Sequence, residues 1–386
     1  MKIVNRLLVL LMILMTAYGL HPLWLPLVED TLGNFKESET AQTLSDAVEA
    51  TQKMLGSSGE LEDADDSSTS EAASTTTEAS EPGEALSYYN TSYGEELSGT
   101  AREFYNALVK NYVGTGSSQA FDITFYNPIT FDPSKESGEG SLEEAKTEIQ
   151  YALQNSIDAF RYDYPEVFWL YSASVNYRYT MSGVGDNYTS GTISTATVTP
   201  VAATMPDSGD SAAEYISQFN AAVDQAEAEL RNQIAEDASR YTKAKTIHDY
   251  LCNKLYYSDS SETYVHTVIP AFLGDGGVVC EGYARAYKIL CNRFDVPCIC
   301  VCGTGITPDE TGSHMWNAVE MEDGKWYLTD VTWDDQDDSI REQYLLTGTD
   351  SDGFYCKVSE DHIASGKFAS SGMEFIYPEF SSTSYQ

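Results

Sequence analysis

The stretch Gly276-Gly277-Val278-Val279-Cys280-Glu281-Gly282-Tyr283-Ala284 decides how this chain is read. Its glycines, with Gly274-Asp275 before them, signal a turn. Residues 281–294 then carry Tyr283, Tyr287, Leu290 and Phe294 at helical spacing. Cys280 therefore stands at or just before a helix start. Unpaired backbone N–H groups and the positive end of the helix dipole favour thiolate over thiol there. A lone cysteine is usually structural, and what sets this one apart lies further along the chain.

Residues 297–303 read as a strand, 304–313 as a loop, 314–321 as a second strand and 325–331 as a third, with Glu322-Asp323-Gly324 as the hairpin turn. Two polar stretches fall on these strands: His314-Met315-Trp316-Asn317-Ala318-Val319 and Trp326-Tyr327-Leu328-Thr329-Asp330-Val331-Thr332-Trp333-Asp334-Asp335. A thiol, a histidine and an aspartate suit a nucleophile, its base and the base's orienting group. Turn length decides whether they can meet. A two-residue loop pairs Glu322 with Lys325 and sets Asp330 opposite Asn317, on the wrong face for His314. A three-residue loop, with Gly324 left-handed as a bulge, sets Asp330 opposite Trp316 and diagonal to His314 on one face. That diagonal is roughly 7–8 Å between backbones, within side-chain reach. The expectation is the three-residue turn.

These three stretches resemble the core of the transglutaminase-like superfamily. Its bacterial members carry Cys-Glu-Gly-Tyr-Ala, His-x-Trp-Asn and Asp-x-Thr-Trp-Asp-Asp motifs in this order, and all three are present. The resemblance covers roughly residues 238–335 and, more weakly, the segment to Tyr377-Pro378. It implies a papain-like α+β core, in which a helix bearing the cysteine packs on an antiparallel sheet bearing the histidine and aspartate. By motif, Cys280 is the nucleophile, His314 the general base and acid, and Asp330 the orienter. The backbone N–H of Cys280 can serve a tetrahedral oxyanion; Tyr257 and Trp316 are candidates for a second donor. Trp316, Trp326 and Trp333 either wall the site or pack the hairpin core. No metal or cofactor is expected. The cluster Asp334, Asp335, Asp337 and Asp338 lacks a calcium-loop pattern and reads as a solvated loop. His248 reads as a packed helix histidine, and His362 could approach the site, though no spacing places it there.

The rest of the 386 residues sets the context. Sixty Asp and Glu against 22 Lys and Arg give a net charge of −38, which argues against nucleic acid or anionic lipid as partner. The seven cysteines include no Cys-x-x-Cys pair; Cys298, Cys300 and Cys302 alternate as small residues on one strand face. Residues 1–28 read as a signal peptide or membrane anchor, with Lys2 and Arg6 before an apolar run. Residues 29–99 read as a disordered acidic, Ser/Thr-rich tether, in which 40–55 could form a transient helix. Residues 100–205 read as a small α+β domain: a helix near 100–113, a second opening on the Ser141/Glu144 capping pattern, and extended runs at 167–171, 174–181 and 189–201. Residues 206–380 read as the catalytic domain, opening on helices 212–236 and 238–256.

The resulting expectation is an extracytoplasmic, secreted or membrane-tethered cysteine acyl-transfer enzyme. It would act on protein or peptide amides, cell-wall peptide among them, by hydrolysis or transglutamination. The alternative is a surface binding module that keeps the fold without the chemistry.

Overall fold

The computed structural model describes residues 93–386, apart from 185–186, 203–211, 261, 337–338 and 368–372. The signal or anchor, and almost all of the acidic tether with its transient helix, lie outside the described residues. No helix among the described residues is long and apolar enough to cross a membrane.

The first portion is a three-stranded antiparallel sheet against two helices. Helix α1 (Gly99–Tyr112) and helix α2 (Leu142–Asp163) match the periodicity of Phe104, Leu108 and Tyr112 and of Ile149, Leu153, Ile157 and Phe160, all buried. Ser141 caps α2 by accepting the Glu144 N–H at 3.2 Å. Glu144 reaches back one residue further than a capping box requires, to the Gly140 N–H. The sheet order is β1 (Phe121–Phe131), β3 (Asn187–Ala202), β2 (Leu170–Val184). Two expectations need correction. Strand β1 was not foreseen, because Asn127-Pro128 interrupts its alternation at a register break. Residues 167–169 are a turn after α2 rather than a strand, so the first extended run joins the second to form β2.

The second portion opens with α3 (Ala212–Arg231) and α4 (Arg240–Lys254). A short parallel pair follows, β4 (Tyr256–Tyr257) with β5 (Gly277–Val278), separated by the one-turn helix α5 (Ile269–Phe272). Then come α6 (Cys280–Arg293), β6 (Cys298–Ile306), β7 (Thr311–Glu320) and β8 (Trp326–Thr329). A one-turn helix α7 (Val331–Asp334), a small hairpin of β9 (Asp335–Gln336) and β10 (Ser339–Ile340), the short α8 (Val358–Asp361) and β11 (His362–Ala364) complete it. The larger sheet is antiparallel, in the order β11-β6-β7-β8. The expected 304–313 loop is short, since β6 and β7 extend into it. One buried apolar cluster runs from Tyr93 to Phe375 and joins the two portions. Across the junction, the Phe168 ring lies 4.4 Å from that of Phe219.

The hairpin has the register that the site requires. Asn317 faces Thr329 and Glu320 faces Trp326, with Met321 N–H donating to Lys325 O at 3.0 Å. Three residues form the turn, and Gly324 has φ +74°, where a Cβ would be strained.

Candidate active site

Cys280 is the first helical residue of α6, capped by Val279. Its N–H therefore has no carbonyl to meet within the helix. Two contacts fix how α6 lies. Gly282 passes so close to β5 that a Cβ there would sit 2.6 Å from Val278 Cβ and 3.1 Å from Thr267 O. Asn317, wholly buried on β7, donates through Nδ2 to Ala284 O (2.9 Å) and Ile299 O (3.3 Å), tying the cysteine helix to the sheet. Gly282→Ala is expected to destabilise the fold by about 1–3 kcal/mol, because neither backbone nor Val278 can yield freely. A urea-denaturation midpoint checks this, and an unchanged midpoint would mean that the close packing carries no energetic weight.

His314 sits on β7 and is 9% exposed. Its Nε2 lies 2.7 Å from Asp330 Oδ2, and Cys280 is near enough to add to the upward pull on the ring's titration. Since Nε2 is committed to Asp330, Nδ1 is the nitrogen left for sulfur. Burial would lower the His314 pKa, but the Asp330 charge and hydrogen bond, together with Cys280, outweigh it and push it up to about 10. The two rings of Trp316 and Trp333 lie near-parallel to the imidazole, at 28° and 31°.

Asp330 departs from its expected place in one respect. It is not within the strand but caps α7: Oδ1 accepts from the Thr332 N–H (3.0 Å) and Trp333 N–H (3.3 Å), leaving Oδ2 for His314. Burial would raise its pKa; the His314 charge, with the bonds from His314 and His362, holds the carboxyl well below the usual carboxylate range.

The remaining candidates divide. Trp333 is part-buried against His314. Trp316 is 1% exposed, within the cluster of Ile299, Val301 and Leu328, so it lies beneath His314 rather than at an opening. Its indole Nε1 is buried with no hydrogen-bond partner among the described residues. Trp326 belongs to the same hairpin core. Tyr257 stands 55% exposed on β4; burial, then the charge of Cys280, pushes its phenol above the usual range. Cys298 and Cys300 are buried strand residues and Cys302 is part-buried, with burial pushing the Cys300 and Cys302 thiols up to about 12.

Two findings go beyond what spacing could place. His362 Nε2 reaches the same Oδ2 of Asp330 at 2.9 Å. The acidic cluster is not a solvated loop at Asp334, which is wholly buried and 3.2 Å from His248 Nε2. Asp335 accepts from the Tyr283 hydroxyl, while Asp337 and Asp338 lie outside the described residues. His248 itself is packed and hydrogen-bonded, as its place on the apolar stripe implied. His314, Asp330 and His362 bring three donor atoms within 4.8 Å. Their N···O separations are hydrogen-bond lengths, and a cation there would displace the protons that hold Asp330.

A family model for the transglutaminase-like superfamily matches residues 228–331. No curated protein matches. Among solved structures, one described as a TGase is similar at 10% identity and TM-score 0.28, over 41% of this chain and 44% of that one. Another, a proposed cysteine protease from Cytophaga hutchinsonii, is similar at 14% identity and TM-score 0.25, over 42% and 64%. The chain thus spans less than two thirds of either. The match from the end of α3 to the start of α7, where Cys280, His314 and Asp330 stand, identifies the chain as one that carries a transglutaminase-like superfamily domain.

Proposed function

We propose that this protein is a cysteine-dependent acyl-transfer enzyme acting on amide bonds of proteins or peptides. The observation that carries the reading is the pairing of buried His314 with Asp330 on the sheet against which the Cys280 helix packs. His314 Nδ1 takes the thiol proton, and the Cys280 thiolate attacks the amide carbon. The tetrahedral oxyanion is met by the Cys280 N–H, with the Tyr257 phenol as the second donor. Losing one such donor typically lowers the rate by about 10²–10³-fold. His314 then returns its proton to the leaving amine as the C–N bond breaks, leaving a thioester. Water resolves it by hydrolysis, or a lysine amine by cross-linking. The apolar run after Lys2 and Arg6 supports an extracytoplasmic address, by secretion or tether, with cell-wall or surface peptide as substrate.

A thiol-selective probe near neutral pH tests this. Cys280 should label faster than the other six cysteines, and His314→Ala should abolish the difference. Equal labelling, unchanged by His314→Ala, would leave only a binding module with this fold. Incorporation of an amine probe into acceptor protein would indicate transfer; released termini or ammonia would indicate hydrolysis.

A further inference from the structure

His362 opens β11, which pairs with the outer edge of β6. It faces Gly305 across that edge, and on the other side of β6 Gly303 faces His314. Glycine at both positions of the intervening strand lets the two rings meet over it. A Cβ on Gly305 would lie 3.0 Å from His314 Cβ and 3.2 Å from Trp333, and one on Gly303 would lie 2.7 Å from the Trp316 ring. The imidazole centroids are 5.4 Å apart, and both rings direct Nε2 at Asp330 Oδ2.

The other nitrogen of His362, Nδ1, is 2.8 Å from Asp361 Oδ1. Asp361 is wholly buried, and its Oδ2 accepts from the Tyr344 hydroxyl at 2.5 Å. Each ring nitrogen of His362 thus faces a carboxylate oxygen. A neutral imidazole has one N–H and would turn a lone pair towards one of them, whereas an imidazolium donates to both.

We propose that His362 is a positioning residue for the acyl-transfer reaction: a buried imidazolium clamped between Asp330 and Asp361, which fixes the Asp330 carboxylate and offsets its pull on His314. This rests on the reading of Cys280 and His314 as nucleophile and base. The charged groups facing His362 are Asp330 from the β8–α7 junction, His314 from β7 and its own neighbour Asp361; the Tyr344 phenol stands one hydrogen bond beyond. The indoles of Trp316 and Trp333 lie against its ring. With His314 protonated, two carboxylates and two imidazoliums balance; with His314 neutral, one negative charge is left over. Repulsion between the rings works the other way and keeps Asp330 from binding the His314 proton too tightly to release. The titration of His362 agrees: burial pushes it down, but the bonds to Asp330 and Asp361 outweigh burial and raise it, while the His314 charge opposes them.

Two measurements test the role. In histidine-¹⁵N spectra of the wild-type protein near neutral pH, His362 should be doubly protonated; a neutral ring there overturns the proposal. Alkylation of Cys280 by iodoacetate, an anion drawn by the His314 cation, should fall at alkaline pH as His314 loses its proton. His362→Gln keeps a donor to Asp330 without the charge and should move that alkaline limb up by about 1–3 pH units, the usual effect of a neighbouring charge. Asp361→Asn, which leaves His362 to lose its proton earlier, should move it the same way and stands in if the first variant does not fold. A limb that stays put in a folded variant, with only thermal stability lowered, reduces His362 to a structural residue. Wild-type alkylation at Cys280 no faster than at the other cysteines sinks the nucleophile reading and the positioning role together. The spectra still report the protonation of His362 separately.

Discussion

Asp330→Asn is expected to lower acyl transfer by about 10⁴-fold at neutral pH, the effect of leaving a catalytic histidine in the wrong tautomer. The substituted amide can keep its oxygen on the Thr332 and Trp333 N–H groups, because these two bonds hold the start of α7. Its NH₂ then points at His314 Nε2 and His362 Nε2, donor against donor. His314 escapes by turning Nε2 into an acceptor, which moves its proton to Nδ1. That nitrogen then meets Cys280 as N–H and can no longer take the thiol proton. The variant should also lose about 3–5 kcal/mol, since one partner of a buried charged pair is gone. The pH dependence has a definite sign. The Asp330 pKa is lowered, so its contribution is present above the unfolded value of about 4 and is lost as pH falls through the folded one. His314 is raised to about 10, so its contribution is full below about 6.5 and is lost as pH rises through about 10. The gap between wild type and variant in urea midpoints should therefore be widest between about pH 4 and 6.5 and close on either side. A variant within tenfold of wild-type rate would show that Asp330 orients nothing.

The sequence carried the site further than the fold around it. One glycine and a face requirement sufficed to choose the hairpin register, because a one-residue slip turns every side chain over. The helix start at Cys280 was legible for the same local reason, a glycine turn before a 3.6-residue stripe. His362 was not. It is delivered by three residues of β11 on an edge of β6, directly after the one-turn helix α8, and only the pairing with Gly303, Thr304 and Gly305 brings it across to His314. Gly303 and Gly305 were the available signal, since two glycines on alternate strand positions indicate a close approach. Asp334 was misread because four acidic residues in a row of five look solvated. Charge runs give no sign of which member turns inward, and here the answer depends on a histidine 86 residues earlier. Strand β1 shows the apolar period of two at Ile123 and Phe125 and again at Ile129 and Phe131, all buried, but Asn127-Pro128 falls between the two runs, where the register shifts.

His248→Leu is expected to destabilise the fold by about 3–5 kcal/mol, although His248 touches none of the reacting groups. The reason lies in α7. Its first end is held by Asp330 and its last by Asp334, whose carboxylate accepts from His248 Nε2 and from the N–H groups of Gln343 (3.0 Å) and Tyr344 (3.0 Å to Oδ2). His248 Nδ1 in turn lies 2.9 Å from Asp249, which is paired with Lys245 at 2.8 Å. Burial pushes Asp334 up; it would push His248 down, but the bonds to Asp249 and Asp334 raise it instead. The raised His248 pKa makes its contribution full below about pH 6.5 and lost as pH rises through the folded value, while the raised Asp334 pKa takes stability away as pH rises above about 4. Removing the imidazole leaves Asp334 charged and buried with no counter-charge. Asp334→Leu alone should fare as badly, by stranding the His248 cation. The double variant should lose clearly less than the sum, because an apolar pair needs no compensation. Urea midpoints of the four proteins settle the coupling, and additive losses would mean the two side chains do not interact. Because α7 begins at Asp330, the single variants should also slow labelling of Cys280 under conditions where they remain folded. Such a loss, with every reacting group intact, would show that the site depends on both ends of this one turn of helix.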